Sequence, residues 1–164
     1  MSDYLIVLVN RAQARFFTIE PVEFPEVESG PRLTACEELE NPKFGDARDI
    51  FSDSKTGRGT AAPLGGKVHG YDDKRDQHMD ELRRRFAAGV LDRIRTLAAT
   101  EHAGSFILAA SARMRRFLYP GIEPLARQGC RIHKLSKNMI NFSPKKIHTY
   151  LAGEGLVPGQ SLGL

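Results

Sequence analysis

No apolar run in the 164-residue chain approaches the roughly 18 residues that a membrane-crossing helix needs. The N-terminal stretch MSDYLIVLVN has no basic leader and reads as a first strand, not as a signal peptide. The expected location is therefore the cytoplasm, with no membrane partner. Cysteine is scarce: Cys36 and Cys130 stand in separate elements, without the close pairs of a zinc site. Both are read as reduced thiols that serve as small buried apolar residues. The Gly-x-x-x-x-Gly-Lys-Ser/Thr phosphate loop, the Gly-x-Ser-x-Gly elbow and the dinucleotide fingerprint are missing, as is any internal repeat. These absences leave no expected cofactor and no motif that names a reaction.

What is present is a composition 41% hydrophobic and 27% charged, that of a soluble single domain long enough to bury one sizeable core. The net charge of +4 hides a division. Residues 1–50 hold five basic and ten acidic residues, a net of −5, whereas residues 51–164 hold nineteen and ten, a net of +9. Such asymmetry predicts a basic face suited to phosphate-rich partners, with a solvated charged edge as the plainer account.

Hydrophobic patterning supplies the elements. Tyr4–Val9 is a continuous apolar run, as expected of a strand covered on both faces. Ala14–Ile19 reads as a second strand antiparallel to it, and Arg32–Leu39 as a third, weaker strand at an edge. From Asp80 to Ala99, Leu82, Phe86, Val90, Leu91, Ile94, Leu97 and Ala98 recur every three to four residues, the stripe of an amphipathic helix. Ser105–Ala110 is a buried strand reached by a parallel crossover. Ser111 caps a short helix that Pro120-Gly121 breaks, Ile122–Gln128 is a second helical piece, and Cys130–Leu135 is the last strand. Ser143-Pro144 opens a final helix. The predicted fold is α/β, one domain over 1–155 in the order β-β-β-α-β-α-β-α, with helices packed on a mixed sheet of about five strands. A long loop spans about 41–75, and 156–164 form a loose tail.

Three groups of residues invite chemistry. Arg113, Arg115 and Arg116 follow the central strand, where open α/β sheets place ligands. With Lys134 and Lys137 they form the expected nucleic-acid-binding set, because the arginine fork gives phosphate two charge-assisted hydrogen bonds. Three consecutive arginines, Arg83 to Arg85, point about 100° apart on a helix and cannot make one patch. Gly65, Gly66, Lys67 and His69 form the working part of the loop, where glycines allow close backbone approach. A mobile linker is its plainer account. His69, Asp72, Asp73, Asp76, His78 and Asp80 crowd the helix start, but without a second ligand cluster no metal site is assigned, and acidic residues there also complement the helix dipole.

The order and spacing of several phrases resemble a bacterial family, the proteins required for attachment to host cells. The phrases are YLIVLVNRAQARFF, the stretch from Asp72 through ELRRRFAAGVLDRI, SFILAASARMRRFLYPGI, and RIHKLSKNMINFSPKKIHTYL. The chain has Asn10 where members often carry aspartate, and Ala112-Arg113-Met114 where they tend to have a glycine-containing phrase. The family is in turn similar to the middle domain of archaeo-eukaryotic peptide-release factors and Pelota-like rescue proteins, in which a loop before the long helix carries Gly-Gly-Gln. Here Gly65-Gly66-Lys67 stands at that place, and lysine cannot supply the amide geometry of glutamine. The resemblance thus implies a non-catalytic binding protein that meets RNA, tRNA or the ribosome through a basic loop-helix face. The alternative is a hydrolase of a phosphate-bearing or RNA substrate working through Asp76 and His78. Pairing of the exposed third strand would give a homodimer.

Overall fold

In the computed structural model the described residues are 3–24, 26–42 and 65–160, with side chains in the last stretch described from residue 74 onward. Strands β1 (Tyr4–Val9), β2 (Gln13–Glu20), β3 (Arg32–Glu40), β4 (Ser105–Ala110) and β5 (Arg131–Leu135) form one mixed sheet in the order β3-β2-β1-β4-β5. The helices are α1 (Gly65–Glu101), α2 (Ala112–Arg127) and α3 (Pro144–Gly153). β1 pairs antiparallel with β2 and parallel with β4, in a register that sets Leu5 beside Phe106 and Val9 beside Ala110. β5 continues the parallel half. The α/β class, the element order and the mixed five-stranded sheet agree with the sequence expectation.

The apolar runs of β1 and β4 have a simple cause: both strands are central and both faces are covered. Alternate residues Leu5, Val7 and Val9, with Phe106, Leu108 and Ala110, pack against the buried stripes of α1 and α2. The intervening Ile6, Leu8, Ile107 and Ala109 face Ile147 and Leu151 of α3, with Met139 and Ile140. The result is a three-layer sandwich with two cores.

Several boundaries differ from expectation. The long helix starts at Gly65 and runs for 37 residues, so positions 65–75 are helical and not part of a loop. Lys74 to Met79 are exposed or half-exposed. A segment with nothing to bury carries no apolar period, which is why periodicity finds only the half of the helix that lies on the core. Residues 43–64 of the expected loop lie outside the described residues, as do the side chains of Lys67, His69, Asp72 and Asp73.

The break at Pro120-Gly121 is also absent: α2 passes through Pro120 and Pro124. Proline inside a helix costs about 3 kcal/mol. Here Met114, Leu118, Ile122 and Leu125 form one stripe no more than 5% exposed, and their burial holds the helix together. The supposed tail is docked as far as it is described. Val157 is buried, Leu156 donates its N–H to Leu151 O at 3.0 Å, and His148 Nε2 lies 2.7 Å from Pro158 O. Residues 161–164 lie outside the described residues. The cysteines are free but not both buried: Cys36 is exposed on the edge strand β3 and Cys130 is half-buried. The cap expected at Ser143 is present, its Oγ accepting from Lys146 N at 3.2 Å.

Candidate functional site

The carboxyl ends of β1 and β4 lie side by side, and the chain turns sharply beyond each. After β1, Asn10 Oδ1 accepts from the N–H groups of Ala12 and Gln13, both at 2.8 Å. This side-chain turn sends the chain back into β2. After β4, the N–H of Ser111 donates to Val9 O at 3.0 Å, and α2 begins at the next residue. Ser111 stands at the cap position but its hydroxyl makes no cap hydrogen bond. The first turn of α2 therefore opens at the edge where the parallel strands end, and it carries three arginines.

Those arginines do not act together. Arg115 lies against the sheet: its Nε donates to Ala110 O at 3.1 Å and its other nitrogen to Ser136 O at 2.8 Å. It thus ties the end of β4 to the chain leaving β5, a structural clamp. Arg113 and Arg116, three residues apart, share the other face of the helix. Together with Asp76, Asp80 and Arg83 of α1 they line a cavity of about 350 Å³ between the two helices.

Asp80 is the hub of that cavity. Its Oδ1 accepts from Arg83 at 2.6 Å, and its Oδ2 accepts from Arg116. Burial alone would push its carboxyl up, but the hydrogen bonds and charges of Arg83 and Arg116 outweigh burial and hold it below the ordinary value. Arg83 is only 5% exposed, and its Nε is buried with no partner among the described residues. Arg113 has no ion pair or hydrogen bond among the described residues.

Aromatic rings hold the outer cations. Arg84 and Arg116 lie over the Phe117 ring at 5.5 and 4.6 Å. Lys134 sits 4.7 Å from the Tyr119 ring and pairs with Glu123 at 3.1 Å. Lys137 lies 4.4 Å from Tyr150, and Lys146 4.1 Å from Phe142. Arg15, which stands opposite Leu8 near the end of β1, donates to the carbonyls of Ile140 and Phe142 at 3.0 and 2.8 Å. That anchors the Phe142 segment along the same edge of the sheet.

Of the expected nucleic-acid set, then, Arg113 and Arg116 share a cavity, Arg115 is a clamp, and Lys134 and Lys137 flank the edge on aromatic supports. Asp76 lines the cavity while His78 is exposed and not among its lining residues, so these two are not assembled at one point. No group of three metal-ligating side chains occurs among the described residues. The sequence reading did not single out Asp80 and Arg83 as partners. One signal was available: Arg83 stands four residues before Ala87 and seven before Val90, on the buried arc of α1. A charged residue on a core stripe requires a partner.

A family model described as protein required for attachment to host cells matches residues 5–151. No curated protein matches the chain.

Proposed function

The chain belongs to the family of proteins required for attachment to host cells, and from that premise we propose that it is a non-catalytic binding protein that meets RNA, as tRNA or on the ribosome. One observation carries this reading: Arg113 and Arg116 stand at the carboxyl ends of the parallel strands, with Arg113 unpaired among the described residues and the neighbouring cations set on Phe117, Tyr119, Phe142 and Tyr150. Basic side chains interleaved with rings suit single-stranded or looped RNA, whose bases stack while its phosphates pair. The expected likeness to release-factor middle domains belongs to the same reading, and Gly65-Gly66-Lys67 carries no hydrolytic role in it. Among the described residues no helix is long and apolar enough to cross a membrane. We place the action in the cytoplasm, so that any effect on attachment to host cells is indirect.

Titration of tRNA by fluorescence anisotropy at increasing salt tests the proposal. Affinity should fall steeply as salt rises, because phosphate neutralisation releases counterions. Arg113→Ala with Arg116→Ala should weaken binding and flatten the salt slope by about two contacts. Absent or salt-insensitive binding would overturn the reading.

A further inference from the structure

The cavity between α1 and α2 has a chemistry of its own. The five lining residues among those described are all charged, three guanidiniums against two carboxylates. Asp80 is already neutralised by Arg83 and Arg116. Among the described residues the donors that remain are the fork of Arg113 and the buried Nε of Arg83, beside the first turn of the 16-residue helix α2. A helix start adds partial positive charge at the same place.

We propose that this cavity binds a phosphate monoester, held by Arg113 and by Arg116, which exchanges the Asp80 carboxylate for a phosphate oxygen while Arg83 keeps Asp80 in place. The proposal rests on the reading of this face as phosphate-binding, and it narrows the ligand to a terminal phosphate group. A monoester presents three free oxygens and close to two negative charges, matching several convergent forks, whereas a backbone diester has two free oxygens and one charge. A volume of about 350 Å³ admits a phosphate together with a sugar-sized group. Asp76, exposed at the rim, repels the phosphate itself but accepts a hydrogen bond from a sugar hydroxyl beside it. Within the RNA reading the natural ligand is the phosphorylated end of a strand.

The test compares one short oligoribonucleotide, labelled at its 3′ end, with either a 5′-phosphate or a 5′-hydroxyl. The phosphorylated form should bind about tenfold more tightly, the scale of one good charge-assisted bidentate contact. In Arg113→Ala the ratio should collapse to about one, whatever happens to overall affinity. Asp80→Asn should raise the ratio by freeing Arg116, and a fall would overturn the exchange. Equal binding of both oligonucleotides by the native protein would overturn the phosphate-end site and leave the RNA reading standing. If neither binds, the RNA reading fails and thermal unfolding with ribose 5-phosphate decides: a raised midpoint that Arg113→Ala abolishes supports the site for free sugar phosphates, and no shift overturns it.

Discussion

Asp80 shows how one side chain links stability to the site. Its folded carboxyl lies below its ordinary value because Arg83 and Arg116 both donate to it. A depressed pKa stabilises the fold above the unfolded value and loses that stabilisation as pH falls through the folded one. Asp80→Asn should therefore be less stable than the native protein at pH 7. The gap should begin to narrow at about pH 4, where the unfolded carboxyl takes up its proton, and close as the pH falls through the lower value of the folded carboxyl. Urea unfolding along this pH range measures this, and a gap that persists at low pH would assign the loss to packing. The two thiols differ in the same way. Burial pushes the Cys130 thiol up, whereas Cys36 lies exposed on the edge strand. Reaction with an aromatic disulfide reagent at neutral pH should show one fast thiol, and Cys36→Ser should remove that phase.

At the scale of elements, α2 explains both what the sequence disclosed and what it hid. A sequence reader sees Pro120-Gly121 and ends the helix, because local propensity is all that a dipeptide reports. The structure assigns the glycine to packing: a Cβ at Gly121 would come within 2.8 Å of Leu91 Cδ2, so α1 and α2 approach closely only because position 121 has no side chain. Gly121→Ala forces the buried Leu91 side chain to shift, and this overpacking, offset by the ~1 kcal/mol that alanine gains over glycine within a helix, should leave a net cost of about 1 kcal/mol. Leu91→Ala, which empties a core position, should cost about 2–5 kcal/mol. Because both act at one contact, the double variant should be less destabilised than the sum of the two, by at least about 0.5 kcal/mol in chemical unfolding. Additive losses would mean the helices separate independently of this contact. β1 and β4 were legible because a strand buried on both faces is apolar throughout, a signal that needs no partner to be read. The stretch of α1 from Lys74 to Met79 was not legible, because its exposed and half-exposed side chains make no apolar stripe. The cavity was half legible. Arg113 and Arg116 follow a strand, which position alone discloses, but their meeting with Asp80 and Arg83 depends on how two helices, joined through β4, pack together.

Across the whole molecule, sheet order turns the division of charge along the chain into a division in space. β3, with Glu37, Glu38 and Glu40 against a single Arg32, forms one edge, and β5, with Arg131 and Lys134 and no carboxylate, forms the other. Three strand spacings, ~14 Å, separate β3 from β4, whose end carries the arginines of α2. That distance exceeds the Debye length of about 8 Å at physiological salt but not the roughly 30 Å at 0.01 M. The acidic edge should therefore repel an approaching polyanion only when salt is low, whereas the arginines act at contact under both conditions. Glu37 is unsuited to a test because it pairs with Arg93 of α1 at 2.6 Å. Glu38 and Glu40 are both exposed, and among the described residues only Glu38 makes a loose pair, with Arg15 at 3.5 Å. Glu38→Gln with Glu40→Gln should speed tRNA association several-fold in stopped-flow mixing at 0.01 M salt and leave it unchanged at 0.15 M, the pattern of steering without contact. A gain of equal size at both salt concentrations would place the nucleic acid against β3, and would move the interface from the basic edge to the opposite side of the sheet.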